Sequence, residues 1–177
     1  MKRILLLSVM IAALAAFTSP KAKNIFAFKV PSIDGGQIDF SKFKGKKILI
    51  VNTATECQYA VQFGALQNLY SANKNKLIVV GFPSNEFKQE SANEEEIQKY
   101  CKIRYGVTFP MAVKTEIKGE KISPIYKWLS SKKDNGVLDA NIKWNFGKFL
   151  LDEKGKLIAY FPSNVKPDSE EITQYLK

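Results

Sequence analysis

The sequence predicts an α/β fold with a mixed central sheet, flanking helices and a short hairpin ahead of the sheet. Two observations carry that expectation. The runs Ile48-Leu49-Ile50-Val51 and Leu77 to Phe82 are apolar without alternation, as in strands covered on both faces. The segments then follow the order strand, helix, strand, helix, antiparallel pair, helix, which suits a mixed-sheet sandwich. The 177 residues suffice for one domain. A chain of this size buries roughly 68–70% of its unfolded surface, so it needs no metal or disulfide staple.

Each element has its own signal. Phe26, Phe28 and Val30 alternate, Asp34-Gly35-Gly36 turns, and Ile38 and Phe40 alternate again, which predicts a hairpin over 25–40. Gly45 and two lysines lead into the first apolar strand. Val61, Leu66, Leu69 and Tyr70 then share one helical face. Pro83 stops the second strand. Asn93 caps a helix whose first turn is Glu94-Glu95-Glu96, where negative charge is favoured, with Ile97, Tyr100 and Cys101 on its apolar side. Residues 112–117 read as a strand and 124–130 as a helix. Residues 146–152 and 156–161 read as a hairpin closed by Glu153-Lys154-Gly155, and 168–176 as a final helix.

Residues 1–20 read as a targeting segment. Lys2 and Arg3 precede an apolar run from Ile4 to Phe17, and Thr18, Ser19 and Pro20 follow. The run is short for a membrane span of about 20 residues. The expectation is a secretory signal, or an uncleaved N-terminal anchor, ahead of a domain over 24–177. Export to a periplasmic or extracellular compartment follows, where disulfides can form.

Composition narrows the chemistry. The chain has no His, which removes Ser-His-Asp and Cys-His nucleophile pairs and nearly every zinc site. Lys and Arg total 27 against 17 Asp and Glu. The excess is diffuse and almost all Lys, which suits solubility, or weak attraction to an anionic membrane surface, better than nucleic-acid readout. Nothing in the sequence calls for a metal or an organic cofactor.

The two cysteines, Cys57 and Cys101, lie 44 positions apart and form no C-x-x-C pair. Taken alone they suit buried small hydrophobes or a structural disulfide. Cys57, however, falls after a buried strand and before a helix. Free N–H groups there favour thiolate, while neighbouring Glu56 opposes it. A thiolate can attack a peroxide oxygen without a general base. Neutral donors at Trp144, Asn145 and Gln89 can steady the charge on the leaving oxygen.

These residues lie in motifs that resemble the glutathione peroxidase family. Val51-Asn52-Thr53-Ala54-Thr55-Glu56-Cys57 is similar to its active-site loop. Phe82 to Glu90 is similar to its second motif and Trp144 to Leu150 to its third, and Tyr105-Gly106-Val107-Thr108-Phe109-Pro110 matches a further stretch. The resemblance spans roughly 24–176 in order. It implies a thioredoxin-like fold and a site of Cys57, Gln89, Trp144 and Asn145, with Cys57 as peroxidatic nucleophile and the others as donors. It also implies that Cys101 resolves oxidised Cys57 into a disulfide, which a thioredoxin-like protein, or glutathione, reduces.

Several residues depart from the family pattern. Gln58 stands where Gly is frequent, Ser84 where Cys is frequent, Glu86 where Gln is usual and Lys88 where Gly is usual. Tyr160 replaces a frequent Arg, which weakens the case for glutathione. The segment between Trp128 and Trp144 is short and lacks the insertion found in tetrameric members of the family, so the resemblance implies a monomer with an open site able to take lipid hydroperoxides. The implied function is a thiol-dependent peroxidase acting on hydrogen peroxide and organic hydroperoxides. The alternatives are a peroxide sensor that passes its disulfide to a partner, or a non-catalytic thioredoxin-fold domain.

Overall fold

A computed structural model describes residues 24–90 and 92–177. The targeting segment over 1–20 lies outside the described residues. After a 3-10 turn at Ile25–Ala27, the hairpin forms from β1 (Lys29–Pro31) and β2 (Gln37–Asp39). It is shorter than the alternation predicts, because Phe40–Phe43 coils into a second 3-10 turn capped by Asp39. The turn itself falls as expected, with Gly35 and Gly36 at φ 88 and 70, a region that costs other residues steric strain.

Four strands make the sheet: β3 (Lys47–Thr53), β4 (Leu77–Pro83), β5 (Lys148–Leu151) and β6 (Leu157–Phe161). Their order is β4-β3-β5-β6, with β3 parallel to β4 and antiparallel to β5, and β5 antiparallel to β6. This is the mixed sheet of a thioredoxin-like fold. The apolar run of β3 divides between two cores. Leu49 and Val51 join Phe63, Leu66, Ile97, Cys101 and Ile172 on one face. Ile48 and Ile50 join Ile78, Val80, Ile125, Tyr126 and Leu129 on the other.

The helices are α1 (Gln62–Ala72), α2 (Glu94–Tyr105), α3 (Pro124–Ser130), α4 (Lys132–Asn135) and α5 (Glu170–Thr173). Asn93 caps α2 as predicted and forms a reciprocal capping box with Glu96. Residues 112–117 are not a strand. Met111 bridges Gly81 and Ala112 bridges Ser32, but Val113 N–H then bonds Pro31 and Thr115 N–H bonds Pro83, so no ladder extends. The last helix is short, and Gln174–Leu176 tightens into a 3-10 turn. Val61 is 69% exposed rather than on the buried face, because Gln58–Val61 is a 3-10 turn and α1 begins only at Gln62.

Candidate active site

The site lies at one end of β3, where three segments are stitched to its last residues. Asn52, fully buried, does most of the joining. Its N–H donates to Gly147 O (3.3 Å), its carbonyl accepts from Phe146 N–H (2.6 Å) and its Nδ2 donates to Trp144 O (3.2 Å). Gly147 is required by this closeness, since a Cβ there would lie 2.9 Å from Tyr160 Oη and 3.0 Å from Asn52 Oδ1. Phe146 takes a positive φ of 65 and buries its ring edge-on against Phe63.

Cys57 follows β3 by a three-residue loop. It is 5% exposed and caps the 3-10 turn, with Sγ accepting from Tyr59 N–H at 3.4 Å. The expected helix N-terminus is therefore one turn tighter than an α-helix. Glu56 points to the surface, while its N–H donates to Gln89 O at 3.1 Å. Thr55 is clamped harder still. Its N–H and Oγ1 donate to the two carboxylate oxygens of Glu90, at 2.9 and 2.6 Å. Glu90 is fully buried, and its desolvation pushes the carboxyl above the usual range despite the Thr55 bonds.

The structure brings Gln89 and Asn145 together. Asn145 Nδ2 donates to Gln89 Oε1 at 3.0 Å, which leaves Gln89 Nε2 with no acceptor among the described residues. Asn145 is fully buried and its Oδ1 has no partner among them. Trp144 is 37% exposed and packs on Phe87, with ring centroids 5.2 Å apart, and Lys118 Nζ sits 4.1 Å from the centre of that Phe87 ring. Among the described residues, none of the three predicted donors bonds Cys57 Sγ. The arrangement is two amides and an indole on loops tied to the thiol's own loop.

Cys101 sits on α2, 1% exposed, in the same apolar core as Cys57. Both thiols are free, so the structural-disulfide alternative does not describe this state. Burial, with the Glu90 carboxylate adding to it, pushes the Cys101 thiol up to about 12. Of the departures from the family pattern, Ser84 is buried and accepts from Glu86 N–H at 3.5 Å, while desolvation and Glu116 raise the Glu86 carboxyl. Tyr160 packs on Phe149, with ring centroids 4.8 Å apart.

Sequence reasoning missed Asn52, Thr55, Glu90 and Lys148. The signal was present for two of them. Asn52 is a polar residue inside a buried strand, and Lys148 is a charge inside an apolar one. Lys148 is fully buried, and its Nζ donates to Phe146 O (2.8 Å) and Val165 O (2.7 Å).

The glutathione peroxidase family matches residues 25–130. A glutathione peroxidase-like peroxiredoxin of Saccharomyces cerevisiae is 40% identical over 156 residues, covering 85% of this chain and 96% of its own. A hydroperoxy fatty acid reductase of Synechocystis is 37% identical over 158 residues, covering 85% and 94%. The crystal structure of a T. cruzi glutathione peroxidase superposes with a TM-score of 0.65 at 27% identity, covering 87% of this chain and 94% of that one.

Proposed function

The chain belongs to the glutathione peroxidase family, and from that premise we propose that it runs a two-cysteine peroxidase cycle re-reduced by a thioredoxin-like protein. It is a glutathione peroxidase-like enzyme, and its substrates are hydroperoxides. The observation that carries the finer reading is the contrast between two free thiols in one apolar core, Cys57 on a loop bonded to the Gln89–Asn145 pair and Cys101 inside α2.

In the first step the Cys57 thiolate attacks the terminal peroxide oxygen. The O–O bond breaks, an alcohol or water leaves with a proton, and Cys57 becomes a sulfenic acid. Gln89 Nε2, Asn145 and the Trp144 indole are the donors that steady the charge on the departing oxygen. In the second step Cys101 sulfur attacks the Cys57 sulfur, the S–O bond breaks, and hydroxide leaves as water with the Cys101 proton. A dithiol then reduces the disulfide by exchange.

Tyr160 stands where an Arg is frequent in the family, which favours a protein dithiol over glutathione. Exposed Trp144 and Val61 beside the Cys57 loop suit bulky organic hydroperoxides. We read residues 1–20 as an export signal or anchor and the enzyme as a monomer. Among the described residues no helix is long and apolar enough to cross a membrane.

The test is NADPH consumption with hydroperoxide and either thioredoxin with its reductase or glutathione with its reductase. Thioredoxin-driven turnover that is lost in Cys57→Ser and in Cys101→Ser is expected. Equal turnover of Cys101→Ser with thioredoxin would overturn the two-cysteine cycle, and faster turnover with glutathione would overturn the choice of donor. Sequencing the N-terminus of the protein recovered from its native compartment tests export.

A further inference from the structure

A lysine whose side chain is fully buried is costly unless its donors are needed. Lys148 lies in β5 between Phe161 and Val51 in the sheet register, and it makes no ion pair among the described residues. Its two hydrogen bonds both go to main-chain carbonyls, Phe146 O and Val165 O. Burial brings its ammonium down to about 7. Either protonation state of the amine has the two N–H donors that these two carbonyls take up.

Those two carbonyls close a ring of bonds around Cys57. Gln62 begins α1 directly after the turn that Cys57 caps, and its Nε2 donates to Ser163 O at 2.7 Å. Two residues on, Val165 O accepts from Lys148. Lys148 then reaches Phe146 O, the carbonyl next to Asn145. Asn145 bonds Gln89, and Gln89 O accepts from Glu56 N–H, one residue before Cys57. Phe146 is one of two non-glycine residues at positive φ among the described residues, a conformation that needs support from its surroundings. Lys148 supplies that support at the residue that turns the chain from β5 toward Asn145 and Trp144.

We propose that Lys148 is the positioning residue of the peroxide site: by holding the Phe146 and Val165 carbonyls it fixes the Trp144–Asn145 donor turn against Cys57. The proposal rests on the reading of Gln89, Trp144 and Asn145 as donors to the reacting peroxide. Lys148 acts through Phe146 and touches no reacting atom. It also makes the 162–169 loop part of the site, because that loop is the far anchor of the ring.

The experiment compares Lys148→Met, which keeps length and loses both donors, with Lys148→Gln, which keeps two N–H groups on a shorter stem. Stopped-flow mixing of each reduced protein with hydrogen peroxide gives the second-order rate constant of Cys57 oxidation. Emission of Trp144 in a Trp128→Phe background reports the donor turn. Wild type that reacts slowly would overturn the peroxidase reading itself, so its failure is separable from failure of the inference. Given a fast wild type, Lys148→Met is expected to react at least tenfold more slowly with red-shifted Trp144 emission. Lys148→Gln is expected to recover part of both. A folded Lys148→Met within twofold of wild type overturns the proposal, as does a slow variant whose Trp144 emission is unchanged. If Lys148→Met does not fold, Lys148→Gln decides on the same two readouts. Rate and emission that move together support positioning. A wild-type rate with shifted emission, or the reverse, overturns it.

Discussion

Cys57 and Cys101 share one apolar core, yet their surroundings are opposite in kind. The Cys57 loop is tied on several sides: Thr55 to Glu90, Glu56 to Gln89, Thr53 O to Ser84 N–H, and Asn52 to the Trp144–Gly147 turn. Cys101 instead sits within a closed helix. The Asn93–Glu96 box seals its start, and Gly106 at φ 61 ends it, with Gly106 and Val107 N–H both reaching back to Cys101 O. Burial and the Glu90 carboxylate hold its thiol high, at about 12. On the proposed cycle the first region reacts in the folded state, and the second gives up its thiol only when the helix loosens.

Removing the nucleophile breaks this contrast most completely. Cys57→Ser should lose hydroperoxide reduction by more than about a thousandfold, the scale on which loss of a covalent nucleophile acts. Stopped-flow oxidation with Cys101 still present checks it. Removing one donor should be milder. Asn145→Ala is expected to slow the peroxide step by about a hundredfold, as for loss of one donor to a developing oxyanion, and to leave the later disulfide step alone. A fall in both steps would mean that Asn145 serves the fold rather than the chemistry.

The second region is tested by its pH profile. A Cys101 that attacks from within the intact helix would show a disulfide-forming rate that climbs about tenfold per pH unit toward 12, following its thiolate fraction. A Cys101 whose attack waits on slow loosening of α2 shows a rate set by that opening and nearly independent of pH. The account predicts the second profile. The smallest effect should come from the helix cap. Asn93→Ala removes the capping box at a cost of ~1 kcal/mol, which raises the opened population about fivefold. Disulfide formation should quicken by that factor while the rate of Cys57 oxidation stays fixed.

How much of this was legible in the sequence depended on how local each signal was. The two buried strands, the Asn93 cap and the Gly35-Gly36 turn each rest on a few neighbouring residues, and each appears where it was expected. The strand expected at 112–117 failed because its apolar pattern cannot show that Val113 and Thr115 bond two different partners. The pairing of Gln89 with Asn145, 56 positions apart, was visible only through resemblance to a family, since no local pattern joins two loop amides. Glu90 was hidden next to Gln89, because a carboxylate on a loop reads as solvated until its burial and its two bonds to Thr55 are seen. Lys148 went unread for a similar reason. One cation in an apolar strand signals a buried charge, but which acceptors it serves, Phe146 O and Val165 O, no local pattern shows.

The proposed cycle makes Cys57 the thiol that is ready and Cys101 the one that is held back. The most direct measurement mixes the reduced protein with one equivalent of hydroperoxide and quenches it at intervals with a thiol-specific alkylating reagent. Mass spectrometry of the peptides then follows each cysteine. The account predicts that Cys57 leaves the thiol pool first, passes through a sulfenic acid with Cys101 still alkylatable on unfolding, and ends in a Cys57–Cys101 disulfide. Oxidation of Cys101 before Cys57, or a sulfenic acid that persists with no disulfide, would contradict it.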